Sequence, residues 1–189
     1  RKHAEERQLL LAREVDHRAR NALAVVQAIV RLTRANSQEA YVAAIEGRVH
    51  ALAQAHTLLS ETRWQGAEIE RLVGEEMAPY RSGEGRVSIS GPAVFLSPEK
   101  AQNLALALHE LATNSAKYGA LSVSKGRLDI EWQVSGGVLA LHWRESGGPP
   151  VQPPPTQGFG TKILSASIKH QIGGNVAWDW RPSGLHCTL

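Results

Sequence analysis

The N-terminal segment most limits the fold of this chain, because residues 4–35 contain neither proline nor glycine. Apolar residues recur there every three, four or seven positions, at Leu11, Val15, Ala22, Val25, Ile29 and Leu32. This spacing lines side chains up along one stripe of an α-helix. The segment is therefore predicted to be one long amphipathic helix.

A second helix is predicted after the break in "ANSQE", with Asn36 or Ser37 as its N-cap. One side of it steps by three and four residues, the heptad spacing of a helix-packing seam, at Val42, Ile45, Val49, Leu52, His56 and Leu59. An isolated helical hairpin would leave much of both stripes in water. We expect a hairpin from a second chain to complete a four-helix bundle, which makes a homodimer. The alternative, packing against the same chain's second domain, stays open.

The sequence changes character at "TRWQGAEI", so the domain boundary is placed near Arg63, between a helical-hairpin domain (1–63) and a second domain (64–189). The segments "RVSIS", "AVFL", "NVAWDW" and "GLHCTL" alternate like strands, and "GRLDIEWQV" and "VLALHWRE" flank an "SGG" hairpin turn. Helices are predicted from Pro98 to just before Gly119 and near residues 162–171. Strands covered by helices on one face form an α/β sandwich, so the fold class is α+β.

Composition excludes several classes of protein. The chain has 21 basic and 18 acidic residues in mixed order, a formal net charge of +3 without a basic stripe, so no nucleic-acid partner is expected. No apolar run approaches the ~18 residues of a membrane span, which predicts a soluble chain. The single cysteine, Cys187, suits a reducing compartment such as the cytoplasm. The chain begins with a charged, helix-forming segment that lacks a start methionine, so we expect it to be part of a longer protein.

Three polar residues fall at four- and three-residue spacing on the predicted helix that starts at Pro98: Glu110, Asn114 and Lys117. A carboxylate and an amide one turn apart suit a hydrated magnesium ion and a bridging water, and the lysine can meet phosphate oxygens. The alternative is a solvated helix face, which spacing alone favours.

Glycines mark a second candidate site. "HWRESGGPPV" ends a predicted strand and "GFGT" opens a predicted helix. Paired glycines let the backbone approach a ligand closely, and a helix N-terminus offers N–H groups to phosphate. Together they predict a nucleotide pocket, although either one alone also fits a surface turn.

The order of these motifs resembles the GHKL (Bergerat-type) ATPase domain of sensor histidine kinases, type II topoisomerases and a class of heat-shock chaperones. His109 directly before Glu110, and Trp143-Arg144-Glu145 in the glycine motif, are similar to the HWE family of bacterial histidine kinases. "DHRARN" resembles the phosphoacceptor segment of that family. The resemblance covers residues 9–189.

The resemblance implies a role for each matching residue. His17 would be the autophosphorylated histidine, Asn114 the magnesium ligand, Glu110 a polarising group near the phosphates, and Glu145 the acceptor for the adenine amino group. The other implied nucleotide-binding residues line the site or frame its lid and phosphate turn: Lys117, Tyr118, Gly147, Gly148, Gly158, Gly160 and Thr161. Phe159, between two of these glycines, would pack under the lid.

The resemblance also implies the activity and its partners. The chain would be a histidine kinase that takes a phosphoryl group from ATP with Mg²⁺ and passes it to an aspartate of a response-regulator receiver. A sensory domain of PAS-like type would lie upstream. The alternative is a non-catalytic, dimeric nucleotide-sensing scaffold.

Several details stay open at the level of the sequence. Glu14 or Asp16 would hold the ring of His17, and Arg18 and Arg20 would meet the phosphoryl oxygens. His109 points about 100° away from the face of Glu110, so a packing role and a supporting role are both compatible with it.

The chain departs from the family pattern at two positions and from the wider superfamily at a third. Ser115 stands where a small apolar residue is usual, and Arg20 where lysine is common. Glu145 is one methylene longer than the aspartate of the wider superfamily.

Overall fold

A computed structural model describes residues 2–81, 85–151 and 174–189. The chain divides into two compact units, residues 1–49 and 50–189. The second long helix passes from one unit into the other, and the domain boundary near Arg63 stays a prediction. No helix within the described ranges combines the length and the apolar character needed to cross a bilayer.

The two long helices are present as the sequence predicts: α1 is Lys2–Leu32 and α2 is Gln38–Glu61. The backbone N–H of Ala40 donates to Ser37 Oγ at 3.1 Å, so Ser37 is the N-cap of α2. Side chains join the helices near the turn. The buried Arg48 guanidinium donates to Thr33 Oγ1 at 2.8 Å, and the Tyr41 hydroxyl donates to the Val30 carbonyl at 3.0 Å.

The apolar seam of α2 is exposed in its N-terminal half and buried in its C-terminal half. In the first unit, Val42 and Val49 are 44% and 36% exposed, and they lie seven residues apart on one helix face. In the second unit, Leu52 and Leu59 are buried, and Leu59 belongs to the main hydrophobic core. The C-terminal half of the seam therefore packs against its own chain, whereas the N-terminal half stays exposed.

The second unit contains seven strands, two further helices and two short 3-10 turns among the described residues. Their order is β1 Ala67–Glu68, α3 Ile69–Met77, a turn Ala78–Tyr80, β2 Val87–Ser90, β3 Phe95–Leu96, α4 Pro98–Tyr118, a turn Ala120–Ser122, β4 Arg127–Ser135, β5 Val138–Ser146, β6 Ala177–Arg181 and β7 Gly184–Thr188. The predicted strands and the α4 helix are confirmed, although "AVFL" contributes only two strand residues. Helix α3 was not predicted from the sequence. The helix expected near residues 162–171 lies outside the described residues.

Five strands form one sheet in the order β2-β4-β5-β7-β6, with β2 parallel to β4 and the other pairs antiparallel. Gly136 and Gly137, both with positive φ, make the two-residue turn between β4 and β5. Alternation along β4 and β5 buries one face of each strand, including Ile130 and Trp143, which share the core with α3 and α4. The short strands β1 and β3 pair antiparallel in a second sheet.

We expect the thiol of Cys187 to resist alkylation in the folded protein. Cys187 is buried in β7, and burial raises the pKa of its thiol to about 12. Because the pKa lies far above pH 8, the reactive thiolate is scarce there. Iodoacetamide at pH 8 should leave the native chain unlabelled by mass spectrometry and label it fully in guanidinium. Rapid labelling of the native chain would contradict the burial of this strand.

Candidate functional site

Helix α4 carries the predicted polar residues on its last two and a half turns. Glu110 is only 6% exposed, whereas Asn114 and Lys117 are exposed and Tyr118 is 70% exposed. Burial of Glu110 argues against a purely solvated helix face, because a buried carboxylate is costly unless other groups interact with it. The polar row therefore runs from the interior to the surface along one helix.

The carboxylate of Glu145 lies at the end of β5 and is 2% exposed. The indole N–H of Trp143 donates to its Oε1 at 2.9 Å, and the backbone N–H of Ala120 donates to its Oε2 at 2.7 Å. Strand alternation explains the first contact, since residues two apart on a strand face the same side. The second contact joins β5 to the turn that follows α4.

Gly119 makes room for this carboxylate. Its φ of −108° is ordinary for any residue, so the left-handed backbone common at helix ends is not the reason for a glycine here. A Cβ at Gly119 would lie 2.0 Å from Glu145 Oε2. The absence of a side chain lets the end of α4 and the end of β5 meet.

The glycine pair after β5 packs on two backbone segments, the same turn and the residues just before β4. A Cβ at Gly148 would lie 2.7 Å from the Cα of Ala120, and Gly147, with φ of +68°, would place one 2.9 Å from the carbonyl oxygen of Lys125. From the sequence, these glycines were expected to let the backbone approach a ligand. In the structure they first of all approach the backbone of their own chain.

Ser115 also supports this turn. It is 1% exposed, and its Oγ accepts the backbone N–H of Leu121 at 3.2 Å. The Ser122 hydroxyl donates to the Gly119 carbonyl at 2.7 Å. Ser115 thus satisfies a backbone N–H just beyond the helix, a role that the small size of the residue alone does not predict.

The predicted phosphoacceptor, His17, is exposed on α1 in the first unit. Its Nδ1 lies 3.5 Å from the side-chain nitrogen of Asn21, one turn further along. Asp16, one of the two acids expected to hold the ring, instead pairs with Arg20, and this hydrogen bond lowers the pKa of the Asp16 carboxyl. The side chain of Glu14, the other acid, lies outside what the structure describes.

The residues at the end of α4 fit a magnesium nucleotide. Among the described residues, no group of three or more acidic, histidine or cysteine side chains could hold a metal ion alone. Mg²⁺ commonly keeps several waters and binds phosphates with one or two protein oxygens, and the exposed amide of Asn114 can supply one of them. A carboxylate has about four lone-pair positions, so Glu145 still has acceptor capacity. Gly158, Phe159, Gly160 and Thr161 lie outside the described residues.

The chain is similar in sequence to known histidine kinases. Residues 14–93 match the family described as HWE histidine kinase. A blue-light-activated histidine kinase of Rhizobium johnstonii is 41% identical over 184 residues, covering 96% of this chain and 52% of that protein. Blue-light-activated histidine kinase 1 of Erythrobacter litoralis is 39% identical over 192 residues, covering 97% and 53%. The chain thus spans about half the length of these curated relatives.

The fold is similar to that of solved histidine kinases. A blue-light activated histidine kinase of Erythrobacter litoralis superposes with a TM-score of 0.70 at 18% identity, over 93% of this chain and 56% of that one. The histidine kinase domain of the same protein superposes with a TM-score of 0.62 at 15% identity, over 91% of this chain and 92% of that one. This likeness concerns the fold, and it confirms the predicted α+β class with helices followed by a GHKL-type sandwich.

Replacement of Glu145 with glutamine should destabilise the second unit. Glutamine has one acceptor oxygen and a donor NH₂ group, so one of the two N–H groups would face another donor. A buried polar group left unpaired costs about 1–3 kcal/mol, and we expect the free energy of unfolding to fall by about that amount. Urea denaturation followed by circular dichroism measures it.

Glu131→Gln is the matched control, because Glu131 is exposed on the neighbouring strand β4 and pairs with Arg144 at the surface. A surface ion pair contributes at most about 1 kcal/mol. An equal, small decrease in the free energy of unfolding for both variants would show that the two hydrogen bonds to Glu145 do not stabilise the fold.

Proposed function

The chain belongs to the HWE histidine kinase family, and from this membership we propose that it autophosphorylates on His17 with ATP as the phosphoryl donor. The observation that carries the proposal is the exposed His17 side chain on α1, in a chain whose α4 and β5 supply Asn114 and Glu145. A phosphoacceptor must be reachable by a donor held elsewhere, and an exposed imidazole meets that requirement.

At His17, a neutral ring nitrogen attacks the γ-phosphorus of ATP. The N–P bond forms, the P–O bond to ADP breaks, and the imidazole proton passes to solvent or to a neighbouring base. The side-chain amide of Asn21 lies beside Nδ1, which leaves Nε2 as the ring nitrogen for the phosphoryl group. Attack by Nε2 requires the ring proton on Nδ1, and the amide oxygen of Asn21 would accept that proton's hydrogen bond once the amide is turned over. In phosphoryl transfer, positioning and charge stabilisation supply most of the catalysis.

At the nucleotide, each role follows the family resemblance. Bound Mg²⁺ would neutralise charge on the β- and γ-phosphates. Asn114 would hold that ion, Glu110 would polarise groups near the phosphates, and the buried carboxylate of Glu145 would accept the adenine amino group. The remaining residues would line the site, its lid or its phosphate turn: Lys117, Tyr118, Gly147, Gly148, Gly158, Gly160 and Thr161.

We extend the proposal to the partners of the kinase. The phosphoryl group would pass to an aspartate of a response-regulator receiver, and a PAS-like sensory domain would act upstream. The relatives' shared name, blue-light-activated histidine kinase, supports a sensory input. One buried thiol, Cys187, is compatible with the reducing cytoplasm, where we place the kinase. Neither the family match nor the relatives favour the non-catalytic scaffold.

The labelling assay tests the proposed activity. The chain with γ-labelled ATP and Mg²⁺ should acquire an acid-labile, base-stable label, as a phosphohistidine does. His17→Ala should abolish the label because the nucleophile is gone, and Asn114→Ala should lower the rate about 10–100-fold through weaker metal binding.

His50→Ala serves as the control, since His50 is an exposed histidine on α2 with no assigned role. Label retained by His17→Ala would overturn the phosphoacceptor assignment. Nucleotide binding without any label in the unaltered chain would favour the scaffold.

The homodimer is proposed from the exposed apolar side chains of the first unit. Leu23 on α1 is 62% exposed, and Val42 and Val49 lie on one face of α2. Light scattering should give an assembly with twice the mass of one chain. The double variant Val42→Asp, Val49→Asp should lower that mass to the mass of one chain.

Val138→Asp, at a position 68% exposed beside the β4–β5 turn, should leave the mass of the assembly unchanged. A single-chain mass for the unaltered protein at every concentration would contradict the dimer.

A further inference from the structure

We propose that His109, held by Glu76, is a positioning residue that fixes the rotation of α4 about its axis and therefore the direction of Glu110 and Asn114. The proposal rests on the proposed function, because it concerns residues assigned to the magnesium nucleotide. It gives a role to the one histidine of α4, whose contribution the sequence leaves open.

The contact itself joins two helices that are remote in sequence. His109 Nδ1 on α4 lies 2.9 Å from Glu76 Oε1 on α3, across 33 residues of chain. The two side chains are 19% and 10% exposed, so water screens the contact weakly. An ionised carboxylate can only accept, hence the ring N–H at Nδ1 donates.

Two further polar side chains lie close to this contact. Thr113 follows His109 by four residues, and the Tyr80 hydroxyl near it follows Glu76 by four residues. Burial raises the pKa of the Tyr80 hydroxyl, the nearby Glu76 carboxylate raises it further, and Thr113 opposes this shift. The four polar side chains therefore form one cluster between α3 and α4, in which the bond from His109 to Glu76 attaches α4.

A directional contact on one helix face resists rotation of that helix. Apolar packing is non-directional, whereas a hydrogen bond weakens steeply as its angle departs from linearity. One side of α4, with Leu108 and Leu111, is buried in the core and fixes how deeply the helix is inserted. The face with His109 and Thr113 fixes the rotation of the helix about its axis.

That direction matters because Glu110 and Asn114 lie on the adjoining face. Each follows His109 or Thr113 by one residue, a turn of about 100°. A ligand atom ~5 Å from the helix axis moves about 0.9 Å for each 10° of rotation. Metal–ligand distances vary by only about 0.2 Å, so even a small rotation would misplace an oxygen of Asn114.

The test measures ADP binding by calorimetry, once with Mg²⁺ and once with EDTA. In Glu76→Ala and in His109→Ala, the affinity with Mg²⁺ should fall about 10–100-fold, while the affinity in EDTA stays close to that of the unaltered chain. The double variant should lose no more than either single one, because both remove the same contact.

Conservative variants separate positioning from folding. His109→Asn keeps an N–H donor near the place of Nδ1, and Glu76→Gln keeps an acceptor oxygen, so both should retain most of the Mg²⁺-dependent affinity. His142→Ala is the matched control, since His142 is also half-buried and hydrogen-bonded through Nδ1, but to Thr188 in the sheet. It should bind ADP like the unaltered chain under both conditions.

Each outcome distinguishes the two proposals. Equal losses with Mg²⁺ and with EDTA would assign His109 an ordinary structural role and overturn the positioning role. Full Mg²⁺-dependent affinity in His109→Ala would overturn it as well. An unaltered chain that binds no Mg²⁺-ADP would instead overturn the proposed function, and this inference with it.

Discussion

The buried carboxylate of Glu145 is the group on which the junction between α4 and β5 depends. It receives one N–H from its own strand, from Trp143, and one from the turn after α4, from Ala120. Hydrogen bonds to charged groups contribute roughly 1.5–3 kcal/mol each, and leaving either donor unpaired in this interior would cost a similar amount. One side chain thus joins the end of a helix to the end of a strand, the two elements that carry the proposed nucleotide residues.

The surrounding small residues follow from that junction. Gly119 has no room for a Cβ beside the carboxylate, and Gly148 has none against Ala120. Ser115 satisfies the N–H of Leu121 beneath the same turn. The longer glutamate, which departs from the aspartate of the wider superfamily, spans the distance to both donors, so Trp143 and Glu145 form one unit. The family resemblance identified these residues without indicating that they contact one another.

Local patterns were enough to predict many parts of the fold. Four features depend on neighbouring residues only: the apolar spacing of α1 and α2, the Ser37 cap, the start of α4 at Pro98, and the Gly136-Gly137 turn. Helix α3 was missed although its buried residues Ile69, Leu72, Val73 and Met77 carry helical spacing, a signal that could have revealed it. The partner of His109 had no such signal, because Glu76 lies 33 residues away. Either Glu14 or Asp16 was expected at the ring of His17, and Asp16 instead pairs with Arg20 one turn away.

The sequence alone was enough to predict most helices and strands, the resemblance to the HWE histidine kinases, and the side chains that are candidates for chemistry. Those properties are set by periodicity, by turn chemistry and by motifs of a few residues. Three further properties depend on the packed fold: Glu145 is held by Trp143 and Ala120, His109 is held by Glu76, and one half of the α2 seam is buried while the other is exposed. Such contacts join residues distant along the chain, and their geometry exists only once the sheet and the helices have packed.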